Sequence, residues 1–532
     1  MPRPVLHKIL ISDPLSEEGV AILKAAKGIE VTVKTDFTPE ELLAEIPQYS
    51  ALLVRSQTKV TGQVIAAGTK LRAIGRAGVG VDNIDVPAAT KAGIVVVNSP
   101  EGNNIAATEH TLALLLALAR NVPAADASMR AGEWKRSKFT GVEVYNKTLA
   151  VIGLGKIGTE VAKRARAFGM NVLGFDPFVT QEHAERLGIQ LASLDDALRG
   201  ADFVTLHVPL NKDTRNLINT KRLAQMRDGV RIINCARGGI IDEAALAKAV
   251  QSGKVAGAAI DVFESEPPEN CPLIGLPGVI TTPHLGASTA EAQVKVAVDV
   301  AEQMVDILSE RPARSPVNMP AIPADTLSRL QPYLRLVERI GQTHGQLAQG
   351  GIRGVEITFA GEIASDDVGV LIPSLLKGLL QPALDESINY VNATLVARDR
   401  NIAVRETREN VAADYASLIT VRVSAEGGEH IVAGTLFGKS EARIVQLDEY
   451  RLDFEPDGIV LIAWHVDQPG LIGNVGTVLG GQNINIASMQ VGRVSRRGSA
   501  VMILGVDERL TPEVLSQLER VNGVTKCALL EY

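Results

Sequence analysis

The stretch from Leu149 to Asp176 restricts what this chain can become more than any other. A short apolar run, Leu149-Ala150-Val151-Ile152, enters the turn Gly153-Leu154-Gly155-Lys156-Ile157-Gly158. Apolar residues then recur at Ile157, Val161, Ala165 and Phe168, the spacing of a helix with one buried face. A second apolar run from Asn171 ends in Asp176. Strand, glycine turn, helix and a second strand with a terminal acid make up the unit that binds a dinucleotide. In such a unit Gly153 permits the tight turn, Gly155 lets the backbone approach a pyrophosphate, and Gly158 lets helix and strand pack closely. The amides and the positive dipole end of the helix face the anion. Asp176 is expected to accept hydrogen bonds from the ribose hydroxyls and to repel a 2′-phosphate, so the expected cofactor is NAD rather than NADP.

At 532 residues the chain is too long for one core, and about three to four domains are expected. A net charge of −7 offers no basic field for nucleic acid or an anionic membrane, so an anionic substrate must be held by local arginines and backbone amides. Cys235, Cys271 and Cys527 lie far apart, which suggests neither a disulfide framework nor a metal site and fits a reducing compartment. The N-terminus leads almost directly into the apolar run Val5 to Ile11, without a signal pattern. The most apolar helical stretch, Leu112 to Ala119, is too short to span a bilayer. Cytoplasm is the expected location.

Residues 1–100 alternate short apolar runs with helical ones, which predicts a small parallel-sheet domain. Two of its loops follow strands directly: Arg55-Ser56, and Arg76 to Asn83. Ligands of open α/β sheets bind beyond such strand ends, although ordinary turns with solvated arginines look the same. Asn103-Asn104 opens an apolar helix to Arg120, expected to be buried between domains, and Trp134 to Lys138 reads as a solvated loop. Alternation resumes after Asp176, with strands expected at 201–208, 230–234, 257–262 and 279–281, hence a parallel, doubly wound sheet. Ser288 and Glu291 have capping-box spacing ahead of a long helix whose expected stripe is Val294, Ala297, Ala301, Val305 and Leu308. The run Arg311 to Pro316, with Pro320 and Pro323, marks the end of the catalytic unit. Residues 319–453 read as a mixed α+β domain with a helix at 375–380; Lys439, Arg443 and Arg451 there read as a solvated face. Residues 458–532 read as βαββαβ, the ferredoxin-like order.

Three strand ends in the dinucleotide half carry chemistry. They are Asn234-Cys235-Ala236-Arg237, the segment Asp261 to Pro268, and Pro283-His284. Hydride transfer between an alcohol and NAD needs an imidazole to take the hydroxyl proton and a carboxylate to hold that ring. It also needs a guanidinium to bind a substrate carboxylate. Singly, each residue has a plain structural role, and the residues alone do not choose between Glu264 and Glu266.

These blocks, with Gly153 to Gly158, resemble the D-isomer-specific 2-hydroxyacid dehydrogenases over about the first 320 residues. The resemblance implies Arg237 as substrate arginine, Glu266 as partner of the histidine, and His284 as general acid/base. It implies cofactor contacts at Val79, Lys156, Ile157, Val208, Cys235, Ala236, Asp261 and Gly286, with Arg237 and His284 also lining the cofactor. Val79 and Val208 stand where relatives often have threonine, which leaves only main-chain and apolar contact there. Arg55, Ser56, Gly78 and Asn103 match substrate-contact loops. The resemblance also implies a flavodoxin-like substrate domain split into residues 1–98 and 288–318. The dinucleotide domain, 99–287, is inserted in it, and the two close as a clamp on a homo-oligomer, a dimer or tetramer.

The C-terminal segment resembles ACT domains that bind serine. His465, Asp467 and Asn485 match the two serine-binding segments, although Asp467 to Gly470 also reads as a helix cap and turn. For a chain with both extra segments, the resemblance implies NAD-dependent oxidation of 3-phospho-D-glycerate to 3-phosphohydroxypyruvate, the first step of L-serine synthesis, with serine as possible effector. The rivals are a glyoxylate or hydroxypyruvate reductase, which usually lacks the two C-terminal domains, and an NAD-sensing corepressor-type protein on the same fold.

Overall fold

The computed structural model describes residues 6–320, 324–384, 387–412 and 414–532; Val5 and Pro323 lie outside the described residues. Its first sheet has five parallel strands in the order Ile29–Val33, His7–Ile11, Ala51–Val54, Ala73–Arg76, Val95–Asn98. Ile9, Ile11, Leu53 and Ala73 on one face pack against Val300, Ala301 and Met304 of the helix Ala290–Leu308. Chain from after the dinucleotide half thus completes the core of the first sheet, and Val97 bridges to Pro316 beside it.

The second sheet has seven parallel strands. Thr148–Ile152 lies inside it, flanked by Asn171–Phe175 and then Gln190–Leu191 on one side. On the other side follow Phe203–Leu206, Val230–Asn234, Val255–Ile260 and Val279–Thr281. The strand order therefore reverses next to Thr148–Ile152, the crevice where doubly wound sheets bind ligands. The helix Asn104–Arg120 packs its buried side on this sheet and on the helix Lys156–Ala167, rather than between the two sheets. It is covered because its Leu112, Leu115 and Leu118 share a core with Ile233 and Ala259 of the strands it packs on, while Ile105 stays exposed. Among the described residues no single helix is long and apolar enough to cross a membrane.

Two details of the long helix differ from the sequence reading. Its N-cap is Thr289, whose hydroxyl accepts from Ala292 N–H at 3.2 Å, and not Ser288. Its buried face runs through Val296, Ala297, Val300, Ala301, Met304, Ile307 and Leu308, with Val294 and Val305 only half-buried. The choice at each position is geometric: the helix touches the first sheet on one side and the loop at Gly102 on another, so two apolar rows are used.

Residues 324–454 form a six-stranded mixed sheet with three helices, and residues 459–531 a four-stranded antiparallel sheet with two. The last sheet has the order Ile486–Arg493, Ser499–Val506, Ile459–Val466, Val524–Glu531, which is the ferredoxin-like arrangement. The helix Ala324–Leu347 was missed in the sequence because it runs through Pro332. The strand Ala403–Glu409 was missed because it is an edge strand with almost every residue exposed, so it shows no apolar alternation. Thr343 of the long helix bonds the buried Tyr532 hydroxyl at 2.7 Å, and Gln346 exchanges two bonds with Glu531, joining the last two units.

That helix crosses Leu371–Leu380 with no room between backbones. A Cβ on Gly341 would lie 2.2 Å from Leu375 O, and one on Gly378 would lie 2.1 Å from Glu338 O. Gly378→Ala should therefore force the pair apart and cost about 1–3 kcal/mol. Thermal unfolding followed by calorimetry should show a lowered midpoint; an unshifted transition would mean the crossing yields without strain.

Candidate active site

The glycine turn behaves as its spacing requires. A Cβ on Gly158 would lie 1.9 Å from Gly153 O, and one on Gly153, at φ +97°, would lie 2.4 Å from His207 O. Nothing lies within 4 Å of the corresponding position on Gly155, so the backbone is open there, at the N-cap of the helix Lys156–Ala167. That opening, with the helix amides beneath it, fits a pyrophosphate. Ile157 faces the sheet side and packs on the core. Asp176 accepts from Leu154 N–H at 2.8 Å and Phe178 N–H at 2.9 Å, which ties the end of its strand to the turn. Val208 packs beside Gly153. A cleft of about 550 Å³ opens here, walled by Gly155, Lys156, Asn104, Glu101 and Lys295. Lys156 pairs with Glu101 across it, and Lys295 donates to Glu101 O at 3.4 Å.

Further along the same sheet edge, Asp261 is the organising group. It is wholly buried, and burial opposes its ionisation. Donors outweigh that penalty and hold its carboxyl below the usual value: His110 Nε2 at 3.1 Å, Thr282 Oγ1 at 2.5 Å, Leu285 N–H at 2.8 Å and Gly286 N–H at 2.9 Å. These bonds clamp the turn that carries His284, whose backbone sits in the left-handed region at φ +54°. Its Nδ1 lies 2.6 Å from Glu266 Oε2. Glu266 Oε1 accepts from Phe263 N–H at 3.0 Å, and burial notwithstanding, the two bonds lower its pKa. Glu264 instead points to Arg215, 3.6 Å away, so of the two acids left open by the sequence only Glu266 reaches the histidine. No described residue bonds His284 Nε2, and the ring is 42% exposed.

Arg237 follows the strand Val230–Asn234. The buried Asn234 shapes its loop by accepting from Ala236 N–H at 3.1 Å and donating to Arg237 O at 2.9 Å. Its Nε meets Asp82 Oδ2 at 3.1 Å, a contact that joins the second sheet to a loop of the first. A Cβ on Gly80 would strike Arg237 Nη2 at 2.1 Å, so the guanidinium lies on that glycine loop. Arg76 fills the space under the same loop, where a Cβ on Gly78 would lie 2.2 Å from its Nη1. Burial first, then the neighbouring Arg237, lowers the Arg76 pKa to about 10, and Arg55 adds to the effect. Its Nε has no partner among the described residues. The Arg55-Ser56 loop is pinned by Asp13, which accepts from Arg55 N–H at 2.6 Å and from Thr58 Oγ1 at 2.5 Å. Val79 O accepts from Asn98 at 2.5 Å, and Asn103 Oδ1 is buried without a partner.

The loop Arg76 to Asn83 stood out in the sequence, but not Arg76 as a desolvated cation or Asp82 as the partner of Arg237, and neither Asp13 nor His110 was singled out. Their roles depend on contacts between segments dozens of residues apart; only the position of Arg76 directly after a strand hinted at its place. Cys235, whose thiol burial pushes up to about 12, lies beside Asp261 and His110. In the C-terminal unit, His465 is buried with Nε2 unpartnered, and its Nδ1 lies 3.1 Å from Val466 O. Asp467 is held low by Arg497 N–H and by Arg493, and Asn485 donates to Asp507 at 2.7 Å.

Residues 112–286 match the family model described as D-isomer specific 2-hydroxyacid dehydrogenase, NAD binding domain. Residues 329–448 match the D-3-phosphoglycerate dehydrogenase intervening domain, and 459–523 the ACT domain. The chain is 48% identical to the D-3-phosphoglycerate dehydrogenase of Synechocystis over 98% of this chain and 94% of that one. It is 46% identical to that of Archaeoglobus fulgidus, over 98% and 100%. Among solved structures, D-lactate dehydrogenase from Aquifex aeolicus complexed with NAD and lactic acid superimposes with a TM-score of 0.54 at 29% identity, over 59% of this chain and all of that one. The open glycine turn, the Glu266–His284 pair and this whole-length likeness agree. The chain belongs to the D-3-phosphoglycerate dehydrogenase family of NAD-dependent D-isomer-specific 2-hydroxyacid dehydrogenases.

Proposed function

We propose that this chain oxidises 3-phospho-D-glycerate to 3-phosphohydroxypyruvate, the first step of L-serine synthesis. The observation that carries the substrate is that Arg237 and Arg76 both lie against the Gly78–Gly80 loop, with Arg55 near enough for its charge to be felt at Arg76. A simple 2-hydroxy acid offers one carboxylate, which one bidentate arginine satisfies. A phosphorylated one adds a second, stronger anion, and a partly desolvated arginine cluster suits it.

In this reading His284 Nε2 takes the hydroxyl proton while Nδ1–H donates to Glu266, which orients the ring. NAD, when bound, supplies the hydride acceptor. Arg237 exchanges Asp82 for the substrate carboxylate and polarises the reacting oxygen. Gly155 and the helix amides behind it would hold the pyrophosphate, Lys156, now paired with Glu101, would add a positive charge there, and Asp176 would accept from the ribose with the carboxylate capacity left after its two backbone bonds. Val79, Val208, Cys235, Ala236 and Gly286 line the cofactor, and Ser56, Gly78 and Asn103 the substrate. For Asp261 the supported role is to hold the His284 turn, since its oxygens are buried and already engaged. Residues 1–98 with 288–318 form the substrate half of the clamp and 99–287 the NAD half. A cytoplasmic homotetramer, with serine bound near His465, Asp467 and Asn485, completes the proposal.

His284→Ala should lower kcat by about 10²–10⁴-fold while NADH binding, read by fluorescence, stays nearly intact. Equal loss of both would remove the assigned role. Asp176→Ala should raise KM for NAD and narrow the preference over NADP; an unchanged ratio counts against a ribose contact. The reading as a whole is tested by NADH formation from 3-phosphoglycerate and from unphosphorylated hydroxy acids, with and without L-serine. No turnover of the phosphorylated substrate would leave the family and sink the specific reaction.

A further inference from the structure

Behind the His284 turn, three groups of different chemistry meet. His110 comes from the helix Asn104–Arg120, Cys235 from the end of one strand and Asp261 from the end of the next. Their ligand atoms all lie within 4.8 Å of one another, with His110 Nε2 and Asp261 Oδ1 3.1 Å apart. The widely spaced cysteines hid this cluster in the sequence, because the sheet and not the chain brings its members together. We infer that His110, Cys235 and Asp261 form a binding site for a thiophilic divalent cation such as zinc, and that its occupation inhibits the enzyme.

The donor set is balanced for such an ion. One thiolate and one carboxylate neutralise a doubly charged cation, and a neutral imidazole completes three protein ligands, so the filled site buries no net charge. Binding would release the Cys235 thiol proton to solvent and use the His110 tautomer with its ring proton on Nδ1, which leaves Nε2 and Asp261 Oδ1 as ligand atoms. Displacing a proton from a thiol selects a metal that binds sulfur strongly, so magnesium and calcium are rejected. The site is reachable: the His110 side chain is 19% exposed and Cys235 is only partly buried. Inhibition follows from the bonds already described. Asp261 also holds Leu285 and Gly286 N–H, so drawing its carboxylate toward an ion disturbs the turn that aims His284.

The test uses the full-length enzyme freed of chelator. Zinc should inhibit it and EDTA should restore the rate. His110→Asn and Cys235→Ala should each raise the zinc concentration for half inhibition roughly tenfold or more, relative to each variant's own uninhibited rate. Cobalt(II) titration gives a readout apart from turnover. Thiolate-to-metal charge-transfer absorption should appear in the wild type and in Cys271→Ser, and vanish in Cys235→Ala. An undiminished band in Cys235→Ala, or no band in the wild type, overturns the site. So does zinc sensitivity unchanged in both variants.

Discussion

A carboxylate buried at the end of the strand Val255–Ile260 has to find donors or lose its charge. Asp261 finds four, from three places in the fold: a helix, the next strand end, and two successive amides of the turn beyond it. Because the amides belong to Leu285 and Gly286, satisfying one acid fixes the position of His284. The imidazole is thereby held at a backbone geometry that a β-carbon rarely adopts, and Glu266 then needs only one bond to set its ring. The proposed chemistry rests on this polar knot more than on any apolar contact.

The sequence made the framework legible wherever local rules were enough. The glycine turn, its flanking strands and the acid at the second strand end were readable because their spacing is a single-segment property. The same holds for the C-terminal βαββαβ order. Reading failed where the outcome depends on a remote partner. Nothing near Ser288 says that Thr289 caps the helix, since both can accept the bond and only the docked helix decides. Nothing near Arg237 announces Asp82, which lies on another sheet. Pro332 misled because a helix interior disfavours it locally, yet tertiary packing along the whole helix outweighs that cost.

The two C-terminal units are built onto the catalytic half by polar contacts rather than by a shared core alone. Asn389 donates to Gly93 O at 2.8 Å, which anchors the intervening unit to the first sheet. On its other side, Asp453 N–H donates to Gln490 at 2.7 Å, and Thr343 meets the buried Tyr532. The last sheet is thus bonded to the helix Ala324–Leu347, and the unit carrying that helix touches the first-sheet domain directly.

The Arg237–Asp82 contact has a further consequence. Asp82 presents to Arg237 the same kind of oxygen that a hydroxy acid would bring. On the proposed role of Arg237, the arrival of a hydroxy acid is therefore a substitution rather than an addition. Selectivity gains from that. A weakly acidic or badly shaped visitor must outcompete a carboxylate that is already tethered, and a 2-oxo acid, which keeps its carboxylate, faces the same rival as the hydroxy acid.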